Sequence, residues 1–430
     1  MSILIQQATI LTMQEAEAPF TGDIRIEGNQ IVQIASHIMP KPGDEVINGR
    51  NKLAMPGLVN AHQHSPMSLL RGFSDDLKLM DWLERKMLPA EGRMTPEDIY
   101  WGAQLSIAEM IRSGTTAFAD MYIHMNEIAE AVKETGIRAS LTRGMVFMED
   151  DGGRRLQEAI DLVQRWSGKA NGRITTMYGP HSPYTCPMEP LREVIAIAVQ
   201  SDIPLHIHLA ETKEEVEKVR SRYGMTPTEY LEEAGMFERA HVLLAHGVHL
   251  NPQDISRLKG MRGGVAHNPV SNLKLGCGIA PIEAMITEGI TVGIGTDGAG
   301  SATTLDMFEE IKAACWLQKL DYGDPTRLPA RQVLDMATRG SAKLLSLQNE
   351  VGMLAPGYTA DLILIDLAKP HLQPVHNVES LLAYSANGAD VHTTIVDGKI
   401  LMQDRKLLTI DEDVLYREVS TRAKRIVDGI

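Results

Sequence analysis

A chain of 430 residues, 43% hydrophobic and 23% charged, has the composition of a globular protein with a large core, which excludes a disordered or fibrous class. Its formal net charge of -14 argues against a nucleic-acid partner, since such binders present a basic surface. Three cysteines (Cys186, Cys277, Cys315) are too few and too scattered for a disulfide framework or a cysteine-built zinc site.

The N-terminal "MSILIQQATILTM" has neither a basic n-region nor a long apolar h-region, and no stretch reaches membrane-spanning length. A cytoplasmic protein without membrane partners is expected. Residues 1–55 read as short strands ("ILIQQATILTM", "GDIRIEGNQIVQIA", "EVINGRNKLAMPG") punctuated by Gly and Asn.

The middle of the chain alternates strand and helix. Candidate strands are 57–61, 115–121, 139–146, 174–180, 204–210, 241–247, 263–269 and 290–296. Amphipathic runs such as "EDIYWGAQLSIAEMIRSG" and "TKEEVEKVRSRYG" lie between them and end at Gly. Eight strands with intervening helices fit a closed (β/α)8 barrel better than a doubly wound open sheet. The strand character returns in "DLILIDL" (361–367) and "VHTTIVDGKILM" (391–402), and a helical pattern closes the chain at 411–428. The expectation is a barrel over 56–351, flanked by a small β-sandwich-type domain made of 1–55 plus 352–430 with a C-terminal helix.

The chemistry-bearing residues collect at the strand ends. His62 and His64, in "NAHQHSP", lie two apart, so on a strand both rings face the same side. An isolated pair of this kind is usually two surface histidines. Here, however, His208 closes the fifth strand, with Glu211 three residues on; His246 closes the sixth, His267 the seventh and Asp297 the eighth, and His181 follows the fourth. In a barrel the C-terminal ends of all eight strands meet on one face, where active sites are built. A divalent metal held by His62, His64, His208 and Asp297 would leave a position for water and lower its pKa from 15.7 to about 7. Asp297 is then placed to accept the proton, Glu211 to deliver one to a substrate nitrogen, and His246 to steer the attacking hydroxide. His206 is expected to be a packed, hydrogen-bonded ring one layer deeper, and His37, His371, His376 and His392 to be structural; His124, His241 and His249 have no strand-end logic.

The stretch "GIGTDGAGS" matches the spelling G-x-G-x-x-G of a dinucleotide-binding turn. That fold requires a further parallel strand ending in an acidic residue about 20 positions on, whereas Asp321 follows a helix. The glycines are instead expected to serve Asp297: Gly293 and Gly295 by relieving crowding on the strand, Gly298 and Gly300 by letting the backbone turn.

Taken in order, "PGLVNAHQHSPMSLLRG", "HIHLAET", "LAHGVHL", "AHNPVSNLKLGCGIAP" and "GIGTDGAGS" resemble the amidohydrolase superfamily, in its deaminase and chlorohydrolase branch, over essentially the whole chain. The resemblance implies one divalent metal ion per subunit, Zn2+ with Fe2+ as the alternative. With no lysine ending the fourth strand ("TTMYGPHSPY"), the two-metal type is disfavoured. It also implies a small-molecule nucleoside substrate and a homo-oligomer. Within the branch the match points to deaminases of S-adenosylhomocysteine and 5'-methylthioadenosine, acting at adenine C6; guanine, cytosine or triazine hydrolysis is the alternative. By the same resemblance Glu91 binds the ribose hydroxyls, Arg143 and Arg154 face the homocysteine carboxylate, and His181 binds substrate near the adenine and ribose. Arg155 could serve in place of Arg154, and Trp82 is a candidate wall of the base pocket. A carboxylate suits a cis-diol and a guanidinium fork suits a carboxylate.

Overall fold

The computed structural model describes residues 2–15 and 17–430. Its centre is an eight-stranded parallel sheet that curls into a nearly closed barrel. The strands, in chain order, are β1 (Leu58–Gln63), β2 (Thr115–Tyr122), β3 (Arg138–Met145), β4 (Ile174–Pro180), β5 (Leu205–Leu209), β6 (His241–His246), β7 (Arg262–His267) and β8 (Val292–Ile294). Each pairs with its sequence neighbour, the strand order of a β–α barrel. The strands are almost wholly buried, which explains their unbroken apolar runs.

Between β8 and β1 the ladder stops. The eighth strand is only three residues long, shorter than the 290–296 run suggests, and the seam is closed by other bonds. The Asn60 amide donates to Thr296 Oγ1 at 2.8 Å, Thr296 N donates to Asn60 Oδ1 at 3.0 Å, and Asp297 N donates to the His62 carbonyl at 2.9 Å.

A separate mixed sheet of nine strands is built from both chain ends. Its join is the antiparallel pairing of Lys52–Pro56 with Leu362–Asp366. Ile3, Ile5, Ile24, Leu362, Leu364 and Ile395 give it a core of its own. Arg138, on β3, reaches Asp361 with Nε at 2.8 Å and ties barrel to sheet through a buried ion pair.

Helices pack around the barrel. α1 (Pro96–Ser113) opens on a Thr95/Asp98 capping box with Pro at its first turn and ends at Gly114 in the left-handed region. α2 (Arg154–Trp166) covers β3. The terminal helix, α3 (Glu412–Val427), packs on α1, where Arg422 and Arg425 converge on Asp98. Among the described residues no helix is long and apolar enough to cross a membrane, and the three cysteines are free and buried.

Candidate active site

The strand-end residues meet at one focus. His62 and His64 lie at and just beyond the end of β1, His208 on β5, His246 at the end of β6 and Asp297 just past β8. Ligand atoms of His62, His64 and Asp297 lie within 4.8 Å of one another, as do those of His62, His208 and His246, and those of Glu211, His246 and Asp297. Asp297 Oδ1 is 3.3 Å from His64 Nε2 and 3.6 Å from His62 Nε2.

The outer bonds of these rings fix which nitrogens face inward. His64 Nδ1 lies 2.6 Å from the Met121 carbonyl and His208 Nδ1 lies 2.8 Å from the His181 carbonyl. A carbonyl only accepts, so each Nδ1 carries a proton and each ring turns its Nε2 inward. Those two Nε2 atoms face each other at 3.4 Å. Two ring nitrogens facing each other at that distance call for a proton or a metal cation between them. His62 Nε2 is likewise buried without a partner, while its Nδ1 is 2.8 Å from His206 Nε2. Three imidazole nitrogens and one carboxylate oxygen form a donor set suited to zinc or ferrous iron. Burial and the neighbouring rings keep His62 and His208 well below the ordinary histidine range, so both stay neutral as ligands must be.

The carboxylates are driven apart electrostatically. Burial, reinforced by Asp297, pushes Glu211 up to about 8. Burial also opposes ionisation of Asp297, but His64, His246, the Ser271 hydroxyl and the Gly298 amide outweigh it and hold the group below its ordinary value. Asp297 Oδ2 accepts from Ser271 Oγ at 2.6 Å and Ser301 Oγ at 2.9 Å, and Oδ1 from Gly298 N at 2.8 Å. Glu211 is itself positioned by Glu215, which accepts its backbone N–H at 2.8 Å and that of Ala210 at 3.1 Å. His246 Nε2 stands 3.8 Å from Glu211 Oε2, and its Nδ1 faces the Asn272 and Asn268 amides at 3.1 and 3.3 Å.

Backbone strain marks the same residues. Asp297 has φ +62° and His246 φ +77°, the left-handed region that non-glycine residues adopt mainly where surroundings enforce it. The sharp turn after β8 thus rests on Asp297, and the glycines beside it act by lacking a side chain. A Cβ on Gly295 would come within 2.7 Å of His62 N, and one on Gly298 within 2.7 Å of Met67 Sδ.

The remaining sequence candidates divide between this focus and a cleft lined by none of its residues. His181 lies with its ring centroid 4.8 Å from that of His208. Glu91 accepts a hydrogen bond from Tyr122 at 2.5 Å, and burial raises its pKa against that bond. Trp82 is buried against the loop at Gly300, its indole N–H without a protein partner. Arg143 and Arg154 line a cleft beyond the end of β2, together with Arg155. His267 is buried with both ring nitrogens unpartnered and joins none of the ligand groups. His206 lies behind His62, one layer deeper, as its position on β5 implies.

Sequence reasoning missed Tyr122, Glu215, Ser271, Asn268, Asn272 and Ser301, which hold the reactive groups in place. Ser271 and Asn272 sit within "AHNPVSN", so a signal is present there. Tyr122 and Glu215 carry no local signal.

The Amidohydrolase family model matches residues 53–401. A 5-methylthioadenosine/S-adenosylhomocysteine deaminase of Pelotomaculum thermopropionicum is 47% identical over 432 residues, covering 99% of each chain. One of Moorella thermoacetica is 49% identical over 379 residues, 88% of each chain. Among solved structures, an adenosine deaminase from Xanthomonas campestris with bound zinc superimposes with TM-score 0.93 at 31% identity, covering 99% of this chain and 98% of that one. An atrazine chlorohydrolase from Arthrobacter aurescens complexed with zinc gives TM-score 0.90 at 26% identity, covering 98% and 100%.

Proposed function

The chain belongs to the amidohydrolase family of metal-dependent hydrolases, and from that membership we propose that it deaminates the adenine ring of S-adenosylhomocysteine and 5'-methylthioadenosine. The observation that carries the reading is the convergence of Glu211, His246 and Asp297 on the focus of the histidine ligand set, with Glu91 held nearby by Tyr122. The names of the relatives supply the substrate class.

His62, His64, His208 and Asp297 would hold the metal, zinc by donor set and by the zinc-bound neighbours. When bound, it supplies Lewis acidity that brings a water's pKa down to about 7. The protein's own groups divide the proton work. Asp297, kept ionised, accepts the proton of the attacking water. Glu211, kept protonated, donates to adenine N1 as the water oxygen bonds to C6. With its Nδ1 facing two amide N–H groups, His246 carries its proton on Nε2 and orients the attacking oxygen. Asp297 then passes the proton it took to the exocyclic nitrogen, the C6–N bond breaks, and the C6 hydroxyl proton returns to Glu211 as ammonia leaves with the inosyl product. Water enters and ammonia departs, so no other reactant is needed.

Glu91, held at one oxygen by Tyr122, offers its other oxygen to the ribose diol. Arg154, whose guanidinium has one long contact at 3.5 Å, is better placed for a ligand than Arg155, which is tied to the Val146 carbonyl at 2.9 Å and to Asp151. The test is an ultraviolet deamination assay of the zinc-loaded protein with S-adenosylhomocysteine, methylthioadenosine, adenosine, guanine and cytosine. Turnover of the two thioethers above all others is expected; no turnover of any adenosine compound refutes the proposal.

A further inference from the structure

The arginine cleft, about 460 Å3, begins at Ile123 and His124, directly after the Tyr122 that holds Glu91. Its formal charges cancel: Arg143, Arg154 and Arg155 face Glu127, Glu158 and Asp161. The key member is Glu158, one helical turn along α2 from Arg154. Its Oε2 accepts from Arg143 Nε at 2.8 Å and forms an ion pair with one terminal nitrogen of that guanidinium, also at 2.8 Å. The other terminal nitrogen of Arg143 donates to the Gly144 carbonyl. Oε1 of Glu158 points to Arg154 at 3.5 Å. The side edge of the Arg143 guanidinium, the edge that grips a carboxylate in a fork, is therefore already filled by a carboxylate of the protein.

We propose that Glu158 is a specificity-determining residue, an internal stand-in for the substrate's carboxylate that the amino-acid tail must displace from Arg143. The inference rests on the proposed deaminase function. It answers a physical difficulty in that function: one thioether carries an α-carboxylate and the other ends in a methyl group. A largely buried arginine left unpaired beside a methylthio group would be costly. With Glu158 in place, Arg143 stays paired when the tail is absent. Exposure tells which partner moves. The Arg143 side chain is 10% exposed and anchored on β3, whereas that of Glu158 is 40% exposed on the outer surface of a helix. Glu158 can swing into water; Arg143 cannot.

Glu158→Gln keeps the size of the side chain and removes the competing charge. The measurement is the ratio of kcat/KM for S-adenosylhomocysteine to that for methylthioadenosine, with melting temperature and zinc content checking the fold. The ratio is expected to rise by about two- to fivefold, the range for a partly exposed ion pair, because the tailed substrate gains a free fork while the methylthio substrate meets an unpaired arginine. An unchanged ratio would make Glu158 a bystander, and a lowered one would mean that it recruits the tail's ammonium; either overturns the proposal. If the parent protein turns over neither compound, the deaminase function fails, and titration calorimetry with the same two ligands reads the Glu158 preference independently.

Discussion

Replacing Glu211 by Gln separates positioning from proton transfer in this site. The amide matches the carboxyl in volume and can still accept the Cys277 thiol at 3.9 Å and stay near His246 Nε2 at 3.8 Å. The backbone at 210–211 remains pinned by Glu215, so His208 is not disturbed. What is lost is a transferable proton on a group that burial and Asp297 hold at about 8. General acid catalysis contributes about 10²- to 10⁴-fold, or roughly 2.7 to 5.5 kcal/mol of barrier. The expected result is a fall of that size in kcat for methylthioadenosine, with KM changed by less than about threefold and zinc content by mass spectrometry unchanged. Retention of kcat within tenfold, at full zinc occupancy, would refute the role of Glu211 as acid.

Tyr122→Phe removes the bond to Glu91 and frees that carboxylate to rotate. KM for the nucleosides should rise about tenfold with kcat little altered; a fall in kcat alone would place Tyr122 elsewhere in the reaction. The α1–α3 contact predicts a pH effect on stability. Burial opposes ionisation of Asp98, but hydrogen bonds from Arg425, Thr95 and Arg422 prevail and hold its carboxyl below the ordinary value. A folded pKa below the unfolded value of about 3.9 means that this stability is present above about pH 4 and is lost as pH falls through the folded value. The urea midpoint of the parent should therefore drop more between pH 6 and pH 3.5 than that of Asp98→Asn; equal drops would refute the coupling.

The barrel is readable in the sequence because each β–α repeat leaves its polar strand-end residue on one face, so separate weak signals (His62, His208, His246, Asp297) reinforce one another. The length of β8 is not readable. Its ladder is replaced by the Asn60 side chain, more than 200 residues away in sequence, and no local propensity encodes such a bond. The same reason hides Tyr122 and Glu215, whose importance lies in what they touch. The glycines of "GIGTDGAGS" make room for neighbours such as His62, Met67 and Leu344 rather than for a turn of their own; the left-handed residue there is Asp297 itself, a choice imposed by tertiary contacts.

The unladdered seam between β8 and β1 has a mechanical consequence. Its two edges carry Asp297 and His62, so any cation gripped by both is also a rivet across the line where the cylinder is least stitched. Prying that line apart and dismantling the reaction centre are then one motion. Protection of the Asp297 amide against hydrogen exchange would gauge both at once.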